Sequence, residues 1–504
     1  MSELRYLVVH GHFYQPPRED PFTGEMPREH GCEPYANYNQ KITAECYRPN
    51  AENGNFGKIS FDLGPTLASW LERYEAHTYQ LILEADRENV QRYGIGNAMA
   101  QAYNHTILPL STSQEKRIQI TWGVADFVRR FGHQPAGLWL PETAVDYETL
   151  EILADFRIQF TVLAPWQAEG KVDPSEPYLV RLPSGRAITV FFFNAEISRQ
   201  TSFDPAATVN ADAFSANELS QRLNQEKLKR GEPQLLLIAT DGELYGHHQP
   251  WRDRFLEYLL NTAAPQRGYQ VVTLARYLQL YPPKKEVAIR EKTAWSCHHG
   301  VQRWYDSCGC CEKDGTWKWQ LRAALNRLAA KIDLIFKTEA PRLLRDPWAA
   351  LGDYLALRSG ATTRQDFFDR HVTRPLPHAE EAKLLSLLEA EYYRHLMFTS
   401  CGFFFDDLDR LEPRHNIACA ARAIAILHEA HNFSLAEEFV DDLKSVRSEK
   451  TKVTGKEIFE GIMAVVAARE MAGPEKARSL NLLPQTEEEV QAGALVGVGA
   501  GRQN

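Results

Sequence analysis

The sequence predicts an α/β protein, built on a parallel sheet or barrel and followed by an all-helical region. Three observations carry this expectation. Short β-rich runs alternate with helical patterns up to about residue 315, and strands separated by helices pair in parallel. Those runs are almost continuously apolar, as in strands buried on both faces. After about residue 316 strand signals vanish and amphipathic helices take over.

The elements follow in order. "RYLVVHGH" (5–12) reads as a strand with histidines at its exit. Residues 16–60, rich in Pro, Gly, Asn and Tyr, show no clear period and read as a long loop, a lid beside a site. Residues 64–89 read as helix, with Pro65 suited to an early helical position. Residues 113–132 carry apolar residues at helical spacing and close on Gly132. "AGLWLPE" (136–142), "FTVLAP" (160–165), "AITVFFF" (187–193), "QLLLIATD" (234–241) and "YQVVTL" (269–274) are further strands. The expected division is 1–315 as the barrel, 316–480 as a helical domain and 481–504 as a flexible Gly-rich tail.

The totals bound the class. A chain of 504 residues exceeds one ordinary core, so two or three domains are expected. The net charge of −9 argues against nucleic acid, which favours a basic face. No apolar run reaches the roughly eighteen residues of a membrane span. The opening "MSELRYLVVHGHF" reads as a first strand rather than a signal peptide, and eight unevenly placed cysteines do not resemble a secreted disulfide framework. A cytoplasmic protein is therefore expected. Aromatic residues at 11% suit a sugar-binding cleft.

Chemistry concentrates at strand exits. The first strand leaves through His10 and His12, the "GLWLPE" strand at Glu142, and the "LLLIATD" strand at Asp241 with Glu243 close behind. A single strand-end carboxylate ordinarily caps a loop or helix. Several ionisable exits on buried parallel strands point instead to convergence at the carboxyl ends, where such folds place their sites. A hydrolytic acid/base pair, a metal site and an inert ion pair all remain open at this level.

Five segments narrow the choice. "HGHFYQPP" (10–17), "YNHTILPL" (103–110), "GLWLPE" (137–142), "ATDGELYGHH" (239–248) and "AWSCHHGVQRW" (294–304) stand in the order of the five motifs of glycoside hydrolase family 57. The first resembles its His-Gln-Pro motif with Phe13 and Tyr14 inserted. The third and fourth resemble its Trp-Leu-x-Glu and Asp-x-Glu-x-x-Gly motifs. The helical half, with "FTSCGFFFDDLDRLE" (398–412), is similar to the uncharacterised domain carried by one branch of that family, so the resemblance spans roughly residues 5–480.

The resemblance implies an incomplete (β/α)7 barrel followed by helices, and retaining action on an α-glucan or maltooligosaccharide of the amylase, 4-α-glucanotransferase or branching type. It implies no cofactor and no metal. It puts Glu142 at the nucleophile and Asp241 at the general acid/base. Retention needs one carboxylate to attack and another to protonate the leaving oxygen, and the latter needs a raised pKa. Repulsion from Glu142 and Glu243 is expected to supply it. His10, His12, Glu243, His105, Trp295, Trp304 and His298 are the implied substrate-binding residues. Trp139, by strand alternation, is expected to pack rather than to stack on substrate. His247 and His248, after Gly246, are expected to form a rim or to begin a helix. The helical region is expected to wall one side of the cleft, and "CGFFFDD" (401–407) is its part with a route to the substrate.

Two rivals remain. In a metal-dependent polysaccharide deacetylase, His10, His12, Asp241 and His248 would coordinate a divalent ion, leaving Glu142 without a job. A non-catalytic glucan-binding protein on an enzyme-like barrel is the other. "CHHGVQRWYDSCGCC" gathers Cys297, His298, His299, Cys308, Cys310 and Cys311. Its spacing is not that of a zinc ribbon, so buried reduced thiols are expected ahead of a structural metal or a redox disulfide. Hydrolysis against transfer, linkage preference and oligomeric state are not legible at this level.

Overall fold

The computed structural model describes residues 4–310, 315–472 and 482–483. Cys311 and, but for Leu482 and Leu483, the expected tail lie outside the described residues. Ten strands occur in the described chain: β1 (Arg5–Phe13), β2 (Ser60–Leu63), β3 (Ala98–Gln101), β4 (Leu138–Trp139), β5 (Phe160–Leu163), β6 (Tyr178–Arg181), β7 (Ala187–Phe192), β8 (Gln234–Asp241), β9 (Tyr269–Val271) and β10 (Lys285–Glu286).

β1 is central. On one side run β2, β3 and β4, each parallel to the last, and on the other runs β8. β9 pairs with Arg5–Leu7 of β1, and β2 pairs only from His10 onward. β5 and β7 pair in parallel, with β6 antiparallel on β7 and β10 beyond it. Two narrow seams join the sheets: a parallel bridge from Gly137 to Phe160, and the Asn194 N–H donating to the Leu237 carbonyl at 2.8 Å. The circuit β1–β2–β3–β4–β5–β7–β8 is thus the expected seven-stranded barrel, loosely closed at both seams.

Strand alternation fixes what faces the lumen. Tyr6, Val8, Met99, Trp139, Phe160, Val162, Phe191, Leu235, Leu237 and Ala239 form one buried cluster inside the barrel. Leu7, Val9, Phe61, Leu138, Val190 and Ile238 belong to a second cluster, which also takes in residues of the surrounding helices. On the lumen side the same period continues to His10 and His12 on β1, Asp62 on β2, Gln101 on β3 and Asp241 on β8. The register confirms the level, pairing His12 with Asp62 on one side and with Asp241 on the other.

Two expected elements differ, and two strands of the barrel circuit were not expected. The helix at 64–89 is two, Pro65–Tyr74 and Ala76–Tyr93, broken at Glu75, whose φ of −137° and ψ of 51° are not helical. The loop at 16–60 is irregular only to residue 37. From Tyr38 to Glu52 it is one helical run, started by Asn37, whose side chain accepts from the Gln40 N–H. Its apolar stripe (Ile42, Cys46, Tyr47) is too short to stand out among polar neighbours. β2 and β3 follow segments whose brevity hid them.

Among the described residues from Trp317 onward every regular element is a helix, including Trp317–Glu339, His378–Leu396 and Leu411–His431. These helices share a core with the barrel: Ile107, Ile118 and Trp122 cluster with Leu325, Leu351 and Phe398. The Trp122 indole donates to the Leu351 carbonyl at 2.9 Å. The irregular stretch before residue 38 is clamped as well, with Asp20 ion-paired to Arg469 at 2.7 Å and Tyr393 donating to the Pro21 carbonyl at 2.9 Å. Among the described residues, no helix is long and apolar enough to cross a membrane.

Candidate active site

At the carboxyl ends of the strands, three neighbours converge on one buried carboxylate. Asp62 lies 3.1 Å from His10 Nε2 through Oδ1 and 2.8 Å from His12 Nδ1 through Oδ2. The Gln101 amide donates to the same Oδ2 at 2.9 Å. Burial opposes charge here, but the His12 charge and both histidine hydrogen bonds hold the Asp62 carboxyl below its ordinary range. His12 is also penalised by burial, yet Asp62, Asp241 and Glu243 hold its pKa up at about 9. Burial dominates at His10 and lowers its pKa. The network is therefore a charged His12–Asp62 pair with a neutral His10 alongside. Trp139 lies beneath it, fully buried and stacked on His10 at 4.5 Å, as its strand face implied.

Glu142 follows β4 through Pro141 and sits in the left-handed region at φ 57°, as does Thr143 at φ 50°. Such residues cost on the order of 1–3 kcal/mol each and persist only where the surroundings over-determine them. Here the Thr143 N–H donates to the Leu140 carbonyl at 2.7 Å, and the Gln167 amide donates to the Thr143 carbonyl at 2.8 Å. The turn aims Glu142 at the segment after β10. There the Trp295 indole N–H and the Ser296 hydroxyl both donate to Oε2, at 3.0 and 2.7 Å. Two donors on one oxygen fix the carboxylate's rotation and leave Oε1 unbonded among the described residues.

Asp241 ends β8 and receives no hydrogen bond from the described residues. Its side chain is reached by solvent, yet protein crowds it from the strand side. That crowding is the largest cause of a pKa raised to about 6; the charge of Glu142 and then that of Asp62 add to it, and His12 opposes. Glu243 was expected to tune Asp241, and the repulsion between the two acids is seen at Glu243. Buried, and opposed by the Tyr47 hydroxyl that donates to it at 2.6 Å, Glu243 is pushed up to about 7, with Asp241 contributing. Gly242, between them, lies against the Phe13 ring, where a Cβ would overlap.

A raised acid pKa burdens the folded state, because the unfolded chain ionises first. For Glu243 the burden begins above the ordinary value of 4.5 and is complete above about 7. Glu243→Gln should therefore raise stability at pH 8, on the order of 1–3 kcal/mol, and leave it nearly unchanged at pH 4. Denaturant melts at the two pH values check this, and an equal shift at both would contradict it.

The other expected residues divide. His105, at φ 52°, is buried and stacked on Tyr14 at 3.9 Å, with Nδ1 2.6 Å from the Ser400 hydroxyl. Burial pulls its pKa well below the ordinary value. Ser400 and Cys401, whose sulfur lies 3.9 Å from the Tyr14 hydroxyl, bring the helical region to this wall of the site. Trp295 is half-buried and packs edge-on against Trp139 at 5.1 Å. His298 is exposed, 6.4 Å from the ring of the exposed Trp166. Trp304 corrects the expectation that it binds substrate: it is wholly buried in the core shared with the helices and offers no face to a ligand. His247 bonds Glu45 at 2.6 Å and His248 is exposed, and neither begins a helix. The deacetylase quartet does not assemble: His10 and His12 turn to Asp62, and among the described residues the ligand atoms of His10, His12, Asp241 and His248 do not converge.

Sequence reasoning missed Asp62, Gln101, Tyr14, Tyr47, Ser296 and Trp166. Asp62 left a signal: "ISFDL" alternates apolar and polar residues and ends, like β8, near an acid.

Comparison with known proteins agrees with this architecture. The model of glycosyl hydrolase family 57 matches residues 6–290, and that of a domain of unknown function, DUF3536, matches 314–474. A 1,4-alpha-glucan branching enzyme of Thermococcus kodakarensis is 25% identical over 314 residues, 46% of this chain and 45% of that one, so the chain spans less than half of this relative's length. Among solved structures, an exo-type maltose-forming amylase from Pyrococcus sp. ST04 superposes with a TM-score of 0.70 at 16% identity, covering 97% of this chain and 95% of that one. A branching enzyme from Pyrococcus horikoshii superposes at 0.57 with 17% identity, covering 91% and 94%. At these identities the structural likeness is one of fold. The family match covers more than half of the sequence, and the chain belongs to glycosyl hydrolase family 57.

Proposed function

We propose that the chain acts on α-glucans with retention of anomeric configuration, Glu142 attacking and Asp241 serving as acid and then base. The observation that carries this reading is the contrast between the two carboxyl groups. Glu142 is held through one oxygen by Trp295 and Ser296, with the other left unbonded. Asp241 carries no hydrogen bond from the described residues and keeps its proton up to about pH 6, partly because Glu142 is charged nearby.

In the first step Asp241 gives its proton to the glycosidic oxygen while Glu142 bonds to the anomeric carbon, and the leaving sugar departs as an alcohol. Asp241, now a carboxylate, takes a proton from water or from a sugar hydroxyl, which displaces Glu142. Retention in this manner goes with carboxyl groups about 5–5.5 Å apart. The His12 imidazolium, kept charged by Asp62, suits a hydroxyl of the reacting sugar, and exposed Trp166 with half-buried Trp295 suits neighbouring rings. Residues 1–315 would then carry the chemistry and the helical region would wall the cleft through Ser400 and Cys401.

Incubation with maltoheptaose and amylose, with and without chelator, tests the class. New oligosaccharides, longer or shorter than the input and formed equally with chelator, are expected. Acetate release from acetylated glycans that chelator abolishes, or glucan binding without any turnover, would overturn the reading. Debranching of the amylose product then reports whether α-1,6 bonds were made.

A further inference from the structure

Four side chains outside the acid pair meet at the joint between barrel and helices. Cys297 Sγ and Cys310 Sγ are 3.7 Å apart, and His299 Nδ1 is 3.2 Å from Cys310 Sγ. With Cys308 Sγ, the four atoms lie within 4.8 Å of one another. A tetrahedral zinc ion bound at its usual lengths holds its sulfur ligands about 3.8 Å apart and sulfur and nitrogen about 3.6 Å apart. A disulfide would need about 2.05 Å.

The expectation of buried reduced thiols fits only half of this cluster. Cys297 and Cys308 are buried, but Cys310 and His299 are exposed. The backbone is shaped for the convergence. Gly309, at φ 71°, supplies the left-handed turn that lets Cys308 and Cys310 face one point. All four ligands lie in 291–313, between the segments matched by the two family models.

We propose that Cys297, His299, Cys308 and Cys310 form a tetrahedral site for a structural zinc ion, which pins the segment presenting Trp295 and Ser296 to Glu142. The thiol protons pass to solvent on binding and no redox change occurs. The ligand Cys297 directly follows Ser296, so the ion ties the two donors on Glu142 Oε2 to the core that Cys297 and Cys308 enter. This consequence for catalysis rests on the proposed role of Glu142; the metal site itself does not.

Metal analysis of the full chain, purified under reducing conditions, tests the site. Stoichiometric zinc is expected, lost in the Cys297→Ser/Cys308→Ser double variant and in Cys310→Ala, whose exposed position spares the core. Cobalt(II) exchanged into the protein should show the visible absorption of a tetrahedral thiolate complex, absent from Cys310→Ala. The cluster's thiols should react with a thiol reagent only after a strong chelator is added. Absence of stoichiometric metal with freely reactive thiols, iron with labile sulfide, or a Cys297–Cys310 disulfide would each overturn the assignment. Zinc loss in Cys310→Ala should lower kcat on maltoheptaose about ten-fold with little change in KM, the signature of a misplaced reacting group. Unchanged kcat would refute the pinning alone. Zinc in a chain inert on glucans would refute the glucan reading and leave the site standing.

Discussion

Glu142→Gln and Asp241→Asn should each lower kcat on maltoheptaose by at least about 10³-fold, with the melting temperature preserved or raised. The amides keep the shape of the carboxylates, so loss of turnover without loss of folding separates chemistry from structure. The roles separate further with small nucleophiles. In Glu142→Ala, azide should enter from the face the carboxylate has vacated and yield a glycosyl azide of inverted configuration. In Asp241→Ala, an activated aryl glycoside that needs no proton can still form the covalent intermediate, and azide should release a product of retained configuration. The wild-type kcat/KM should fall as pH rises through about 6, where Asp241 loses the proton the first step consumes. Exchanged azide outcomes would reverse the assignment, and activity retained in either amide variant would remove that residue from the chemistry.

The second large effect belongs to Asp62, which touches neither Glu142 nor Asp241 by hydrogen bond yet organises the floor of the site. Asp62→Asn strips the counterion from His12 and half-satisfies a group that serves His10, His12 and Gln101. Breaking one partner of a buried pair costs about 3–5 kcal/mol. The pH dependence marks the cause. His12 is raised from 6.5 to about 9 in the folded state, so its stabilising contribution is complete below pH 6.5 and disappears as pH rises through 9. The stability deficit of Asp62→Asn should accordingly be largest near pH 6.5 and shrink by pH 10. Urea melts across that range measure it. A deficit of equal size at both ends would mean that Asp62 acts by packing and not through the His12 charge.

These expectations show how much of the site a linear reading can reach. Glu142, Asp241, His10 and His12 were legible because each ends a long apolar run, and a charged group at such an exit is conspicuous. Asp62 and Gln101 lie near the ends of four-residue strands, where Asp62 left only a brief alternation, although they complete the same ring. Ser296 and Trp295 reach Glu142 across more than a hundred and fifty residues of chain, a pairing no periodicity encodes. Trp304 failed for the opposite reason: an aromatic residue near a motif resembles a sugar platform, but only packing reveals that helices cover it.

The amino-acid order by itself determined the alternation of strands and helices, the change to helix near residue 316 and which strands end in acids or histidines, because these depend on local period and composition. Tertiary structure decided which ends meet. The β1–β2 and β1–β8 registers bring His12 level with Asp62 and Asp241, and the protein surroundings that raise Asp241 and Glu243 exist only once the barrel gathers them. It also turned a cysteine-rich stretch of unfamiliar spacing into four converging ligand atoms, since the geometry of a metal site is a matter of distances in space rather than along the chain.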